Sequence, residues 1–414
     1  MGARIHAALS RSAQWAAIAL GFSIPISVAL DNILLALVAI LWVALGAWGE
    51  KREALLANPV ALAAVALFAL LALGTLHGER EAGDAVSYLR RYADLLFVPV
   101  LAFLFRDRAR RRHATLALAA SLALILAISY LIAAGMPAAR PLLGGPGNPV
   151  AFKHYLTHSV LMAFAAFLFF QLALAEPSGR RRWVWAAAGM AAAVNVLFMV
   201  QGRTGYLVLA VLAAYLGYAW LRWRGLALAG SVVAAVFAVL AVVPGTFQER
   251  LGLAAGEPQT AAGLEARASN AERLQMYRVT VAIIRDHPLL GVGTGGFPKA
   301  YAQRAPQDAV VPKSRNPHNE YLLIAAQVGL PGAALLLGLF LMHWLLASRL
   351  ASPLEKHLAR GLLLTIAVGC LFNSLLLDHT EGLLYAWLTG VLFGGLRPAP
   401  GAVPDGPGRH GAGL

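Results

Sequence analysis

Residues 315–332 read RNPHNEYLLIAAQVGLPG. Pro317 halts any helix approaching from the N-terminal side, and a long apolar run follows His318 and Asn319. A run of that length reads as a membrane-spanning helix, so two polar side chains stand at its lip. One explanation is a cap, with Asn319 bonding the first free N–H groups and His318 resting at the interface. The other is chemical: an imidazole with an unperturbed pKa of about 6.5 accepts a proton at neutral pH. The stretch alone leaves both open.

The rest of the chain is equally apolar. Of 414 residues, 59% are hydrophobic and 13% charged, against roughly 25% charge in a soluble domain. This composition defines an all-α integral membrane protein. The apolar runs continue to about Leu396, which predicts a single polytopic domain over 1–397 and a Gly/Pro-rich disordered tail over 398–414. The net charge of +14 is spread in short clusters between the runs. That distribution fits anionic membrane lipids and topology, with no nucleic acid as partner. No small-residue cleavage site closes the first run, so it is expected to be a retained span. Cys370 is the single cysteine, which excludes a disulfide framework and a cysteine metal site.

Twelve segments are apolar over the roughly 20 residues that a spanning helix needs: about 13–30, 32–49, 59–77, 88–105, 114–134, 155–175, 183–201, 204–221, 226–243, 319–347, 359–377 and 380–396. Lys and Arg in the short loops set the orientation. With Arg4 and Arg11 in the cytoplasm, alternate loops carry Lys51 and Arg52, RDRARRRH at 106–113, GRRR at 179–182, Arg222 and Arg224, and Arg349, Lys356 and Arg360. The opposite short loops are poor in Lys and Arg. Both termini are therefore expected in the cytoplasm.

The segment 244–318 departs from this pattern, with Arg250, Arg267, Arg273, Arg278, Arg285, Lys299, Arg304, Lys313 and Arg315 on the outer side. Long loops escape the charge rule, and loops of this length are usually functional. Within it, SNAERLQMYRVTVAIIRDHP has Ser269 and Glu272 at capping-box spacing and ends at Pro288. Leu274, Tyr277, Val281 and Ile284 recur at helical spacing. The spacing predicts an amphipathic helix at the outer membrane surface, with Arg273, Arg278 and Arg285 on or beside its polar side.

Three other features have two explanations each. GVGTGGF at 291–297 contains Gly291, Gly293 and Gly296 in GxGxxG spacing, but no strand or βαβ unit is expected around it, which favours a tight turn over a dinucleotide site. His154 and His158 are four apart, as metal ligands on one helix face would be, yet the glutamate of a zinc-protease motif is missing. Polar helix-end residues beside a cavity are favoured, with GGPGNPVAFKH before them as a re-entrant turn. Arg203 either snorkels to the interface or faces a functional cavity, since an arginine at the bilayer centre costs about 2.5–3.5 kcal/mol.

Outward arginines and one histidine permit a definite chemistry. A guanidinium fork suits phosphate oxygens and stays charged. A lipid diphosphate lies at the interface with its tail in the bilayer; if it carries a sugar, arginines stabilise the charge that develops as the diphosphate leaves. One general base for the acceptor hydroxyl completes a glycosyl transfer. The chain has no DxD motif, which argues against a metal-assisted version.

HNEYLLIAAQVGLPG is similar to the outer-loop signature of O-antigen ligases: His, a small amide or hydroxyl residue, nine residues, Gly, two residues, and a small residue. Here these are His318, Asn319, Gly329 and Gly332. HPLLGVGTGGF at 287–297 resembles a segment common to the wider O-antigen ligase and polymerase superfamily. Arg203 and Leu207 fit that family's Arg, three residues, Leu pattern. The spans, the long outer loop and the cytoplasmic termini extend the resemblance over nearly the whole chain.

The resemblance implies an inverting, metal-independent, GT-C-like glycosyltransferase without cofactor, on the periplasmic face of a Gram-negative inner membrane. Its donor would be undecaprenyl-diphosphate-linked O-antigen and its acceptor the lipid A-core oligosaccharide. The family's essential arginines carry over by position to Arg203, Arg250 in FQERLG and Arg273 in NAERLQ, and its essential histidine to His318. Asn319 either orients His318 or caps the helix. Asp378 in LLLDHTEG either orients the histidine or an acceptor sugar, or is a solvated turn residue. A protein O-oligosaccharyltransferase or an O-antigen polymerase would use the same donor, although the chain lacks an obvious pair of long Arg-to-Gly repeats in two outer loops. A transporter or flippase of a lipid-linked anion predicts charged residues near mid-bilayer and discontinuous helices in paired repeats.

Overall fold

The computed structural model describes residues 2–81, 83–136, 144–145, 147–242, 261–306 and 309–397. Their regular structure is helical, with one isolated bridge between Gly145 and Asn148. The helices are α1 (Gly2–Ser23), α2 (Val28–Ala44), α3 (Trp48–Leu56), α4 (Pro59–Leu73), α5 (Asp84–Tyr92), α6 (Phe97–Leu104), α7 (Arg108–Ala133), α8 (Tyr155–Ala175), α9 (Arg180–Val194), α10 (Arg203–Val242), α11 (Ala261–Asp286), α12 (Phe297–Arg304), α13 (Glu320–Leu346), α14 (Pro353–Gly369) and α15 (His379–Phe393). Among the described residues six helical stretches are long and apolar enough to cross a membrane, or seven if the bent pair of α2 and α3 counts as one span. The protein is an all-α membrane protein.

The expected segments fall on helices, and the differences lie at the breaks. Segment 13–30 runs across the gap between α1 and α2, where Ser27 caps α2 by accepting from Leu30 N. Segment 88–105 is split into α5, a 3-10 turn over Ala93–Leu96, and α6. Segments 204–221 and 226–243 share the long α10, bent at Arg222 (φ 56°). Segment 359–377 ends as a helix at Gly369, and residues 370–378 are irregular. Apolarity sets where chain enters lipid, but it does not locate the residues at which backbone groups exchange helical partners for others.

Helices α8 and α15 form the core. A helix apolar on every side must be surrounded, and Val160–Phe169 of α8 and Leu383–Phe393 of α15 are almost wholly buried. Around α8 pack α9, α10 and α14; α15 packs on α6, and α4 packs on α13.

Helix α13 is broken within its apolar length. Val328 and Gly329 leave helical geometry, Gly329 with φ +75°, and Pro331 follows inside the helix. Proline lacks an N–H and crowds the carbonyl four residues earlier, so the chain reopens. A continuous helix would pair Leu330 N with Ala326 O. Instead Leu330 N donates to Pro288 O at 2.7 Å, and Ala326 O accepts from Val292 N at 2.8 Å. Gly295 N donates to Gln327 Oε1 at 3.0 Å. The glycine-rich 291–297 segment is thus the tight turn that seals this break, as backbone at membrane depth requires. A Cβ at Gly329 would stand 2.2 Å from Leu289 O, and its left-handed backbone disfavours any side chain. Gly329→Val should therefore lower the thermal-unfolding midpoint of the purified protein and its membrane abundance, whereas Leu330→Val, at an exposed position, should leave both near wild type.

Candidate active site

The first turn of α13 is built as the sequence suggests. Asn319 is its N-cap, accepting from Leu322 N at 3.0 Å, while its amide donates to Leu371 O at 3.0 Å. Asn319 is therefore committed to the helix end and to the 370–378 turn. His318, just before it, is exposed and holds φ +55°, a left-handed conformation unusual for a residue with a side chain. Two bonds keep it there: His318 N donates to Asn316 Oδ1 at 2.7 Å, and the Tyr277 hydroxyl donates to His318 O at 3.3 Å. Backbone held in this region by its surroundings is a recurrent feature of functional sites.

Glu320 fixes the turn from below. It is fully buried; its Oε1 accepts from the Tyr92 hydroxyl, and Oε2 accepts from Leu376 N at 3.0 Å and Leu377 N at 3.3 Å. Its own N–H donates to Cys370 O at 2.9 Å. Asp84, Tyr88 and Tyr92 recur four apart along α5 and together meet this stretch. Asp84 pairs with Arg315 at 3.5 Å, the Tyr88 hydroxyl donates to Arg315 O, and Tyr92 reaches Glu320. Glu320 and this tyrosine pair do not stand out in the sequence; the signals present are an acid opening a long apolar helix and an i, i+4, i+8 polar series on a short helix.

Arg203 and Arg273 come together. A cleft of about 330 Å³ is lined by Arg203, Thr204 and Leu207 of α10, by Arg273, Leu274 and Tyr277 of α11, and by Phe372. Arg203 and Leu207, one turn apart, share one face of α10, so the Arg, three residues, Leu pattern becomes a charged and apolar pair in one wall. Arg203 is the first residue of α10. A cation there opposes the helix dipole, and an anion in the cleft would answer both. Asn373 donates to Thr204 Oγ1 at 3.1 Å, tying α10 to the same 370–378 turn that holds α13. Leu207, Leu274 and Phe372 are exposed, so an apolar wall faces the guanidinium groups.

His318 stands next to this cleft, joined to it through Tyr277. Partial burial first, and the Arg273 charge second, hold its imidazole below the ordinary pKa, with Glu272 opposing. Asp378 is not brought to His318 in the same way: burial raises its carboxyl, and the charge acting against that rise is Arg91. Arg250 lies outside the described residues.

Helix α11 corrects two expectations. It begins at Ala261, so Ser269 and Glu272 lie within it and do not form its cap. Its buried face is Met276, Val279, Thr280 and Ile283, with Leu274 exposed. Two apolar series one residue apart share this helix, and packing on α13 selects the series that periodicity did not favour. Arg278 and Arg285 are exposed as expected. His154 and His158 diverge: His154 is exposed against Tyr155, while His158 is fully buried, accepting from Ala151 N at 3.3 Å and lying 3.3 Å from Asn195 Oδ1.

The class of protein is thereby defined: an all-α membrane protein with a basic, partly apolar cleft where two helices and an unwound turn meet. Residues 186–337 match the family described as O-Antigen ligase. That segment contains Arg203, Arg273, His318, Asn319, Gly329 and Gly332, and over it the chain is similar to O-antigen ligases. No curated protein matches the chain.

Removing the Glu320 carboxylate would strand a tyrosine hydroxyl and two backbone N–H groups in the interior, at about 1–3 kcal/mol for each unsatisfied group. Glu320→Ala should sharply reduce folded protein, and Glu320→Gln, which keeps an acceptor, should lose less; detergent-extracted abundance and thermal midpoint measure both.

Proposed function

We propose that the protein is an O-antigen ligase, an inverting, metal-independent glycosyltransferase of GT-C type. It moves O-antigen polysaccharide from undecaprenyl diphosphate to lipid A-core at the periplasmic face of a Gram-negative inner membrane. The proposal includes twelve spans, one membrane domain over 1–397 and both termini in the cytoplasm. One observation carries it: the cleft sets two guanidinium groups against an exposed apolar wall of Leu207, Leu274 and Phe372. A ligand that satisfies both is an anion with a hydrocarbon tail, as a polyprenyl diphosphate is.

In the proposed reaction Arg203 and Arg273, with Arg250, hold the diphosphate. His318 removes the proton from an acceptor hydroxyl as that oxygen attacks the anomeric carbon. The bond from that carbon to the diphosphate oxygen breaks on the opposite face, giving inversion, and undecaprenyl diphosphate leaves with the electron pair. The charge developing on the leaving group is what the arginines stabilise. Asn319 holds the turn that aims His318, and Asp378 contacts the acceptor sugar. A protein O-oligosaccharyltransferase or O-antigen polymerase would share the donor side of this scheme, so the acceptor decides among them.

In a strain lacking its own ligase, His318→Ala should abolish the lipopolysaccharide ladder while lipid-linked polymer accumulates. Arg203→Lys, which keeps charge but not the fork, should lower transfer by roughly a hundredfold. A normal ladder from correctly inserted His318→Ala would remove the general base from the scheme. Failure of the wild-type protein to cap lipid A-core would instead transfer the proposal to another acceptor.

A base acts when deprotonated, so transfer should rise with pH through the His318 pKa. Burial and Arg273 depress that pKa, which places the acid limb of the kcat/KM profile below that of a free imidazole. Arg273→Gln removes the depressing charge and should move that limb to higher pH, in addition to weakening donor binding.

A further inference from the structure

A second cavity, of about 990 Å³ against about 330 Å³ for the arginine cleft, opens at the other end of α8. Gln171 and Leu172 line it, whereas Ser159 of the same helix packs against Gly202, next to Arg203. At about 1.5 Å per residue the two ends are roughly 20 Å apart. The first turns of α7 and α14 form its walls, at Arg108 and Arg112 and at Ser352 and Pro353. Helix N-termini direct free N–H groups and partial positive charge outward. Arg108 and Arg112 add exposed guanidinium groups, opposed by Glu176. Arg111 is already engaged, its Nε on Glu355 Oε1 at 2.8 Å and Nη1 on the carbonyls of Phe105 and Arg106.

Two buried polar atoms in this lining have no hydrogen-bond partner among the described residues. Gln171, 2% exposed, has an unbonded Nε2, and Glu355, 7% exposed, has an unbonded Oε2. A buried donor and a buried acceptor without partners are each costly, and they ask for a ligand carrying an acceptor and a hydroxyl. Leu116, Leu358, Trp185 and Trp220 make the remaining lining apolar and aromatic, as at membrane interfaces.

We propose that this cavity binds an anionic phospholipid with a hydroxylated headgroup. The phosphate is held by Arg108, Arg112 and the Gln171 amide; a headgroup hydroxyl donates to Glu355; and the acyl chains leave past Leu116 and Leu358. Basic pockets between spanning helices are suited to such headgroups.

The test uses the full-length protein in detergent and follows its thermal midpoint while phosphatidylglycerol is titrated at constant total lipid. Phosphatidylcholine and free glycerol 1-phosphate serve as comparisons. Phosphatidylglycerol should raise the midpoint saturably, phosphatidylcholine should not, and the R108Q/R112Q pair should bind about tenfold more weakly. Both arginines are exposed, so the lipid-free midpoint of the pair should match wild type. Q171L should weaken binding similarly; if it fails to fold, the arginine pair decides. An equal response to phosphatidylcholine, unchanged affinity in the pair, or a shift reproduced by glycerol 1-phosphate alone would each overturn the proposal, the last in favour of a free phosphate ester.

Discussion

A carboxylate shut away from water must find donors, and Glu320 finds three: the Tyr92 hydroxyl and the N–H groups of Leu376 and Leu377. Its position at the start of α13 also suits the positive end of the helix dipole. These bonds join α5, α13 and the irregular 370–378 turn into one unit. The turn then reaches outward: Cys370 O accepts from Glu320 N, Leu371 O accepts from Asn319 and Tyr277, Asn373 donates to Thr204, and Ser374 donates to Asn316. Each helix end that contributes to the cleft is held by this one stretch of unwound backbone.

The unwinding is itself a consequence of membrane physics. Backbone N–H and C=O groups at this depth have no water to turn to, so chain leaves helical geometry only where other protein groups receive it. The protein does this twice in the same region, at 370–378 and at the Val328–Gly329 break. In the second case the glycine-rich turn supplies a donor to Ala326 O, and Pro288, just before it, an acceptor to Leu330 N. Gly329, read first as part of a ligase signature, is required by the backbone it adopts and by Leu289 beside it. The histidine end of that signature shapes the site, and the glycine end shapes the helix that presents it.

Much of the site was legible because its residues are tied to local rules. Asn319 caps because an amide after Pro317 and before an apolar run has free N–H groups within reach. Arg203 and Leu207 share a wall because four residues make about one helical turn. The tight turn at 291–297 followed from a similar local argument, whereas His154 and His158, expected together beside a cavity, diverge, with His158 fully buried. Glu320 escaped notice because a first-turn acid is ordinary on its own, and only its three donors, from α5 and from the 370–378 turn, make it a keystone. The buried face of α11 escaped because two apolar series ran side by side, and the choice belonged to α13.

The sequence by itself determined that this chain enters a membrane as helices, roughly where those helices lie, and which residue types stand at their mouths. Hydropathy, capping and charge clusters act over a few residues, so a linear reading reaches them. Tertiary structure alone decided that Arg203 and Arg273 face each other across 70 residues, that His318 borders them through Tyr277, and that apparent spans break at 93–96, 328–329 and 370–378. Those outcomes depend on which buried donor meets which acceptor between distant segments, and that pairing has no period or spacing along the chain.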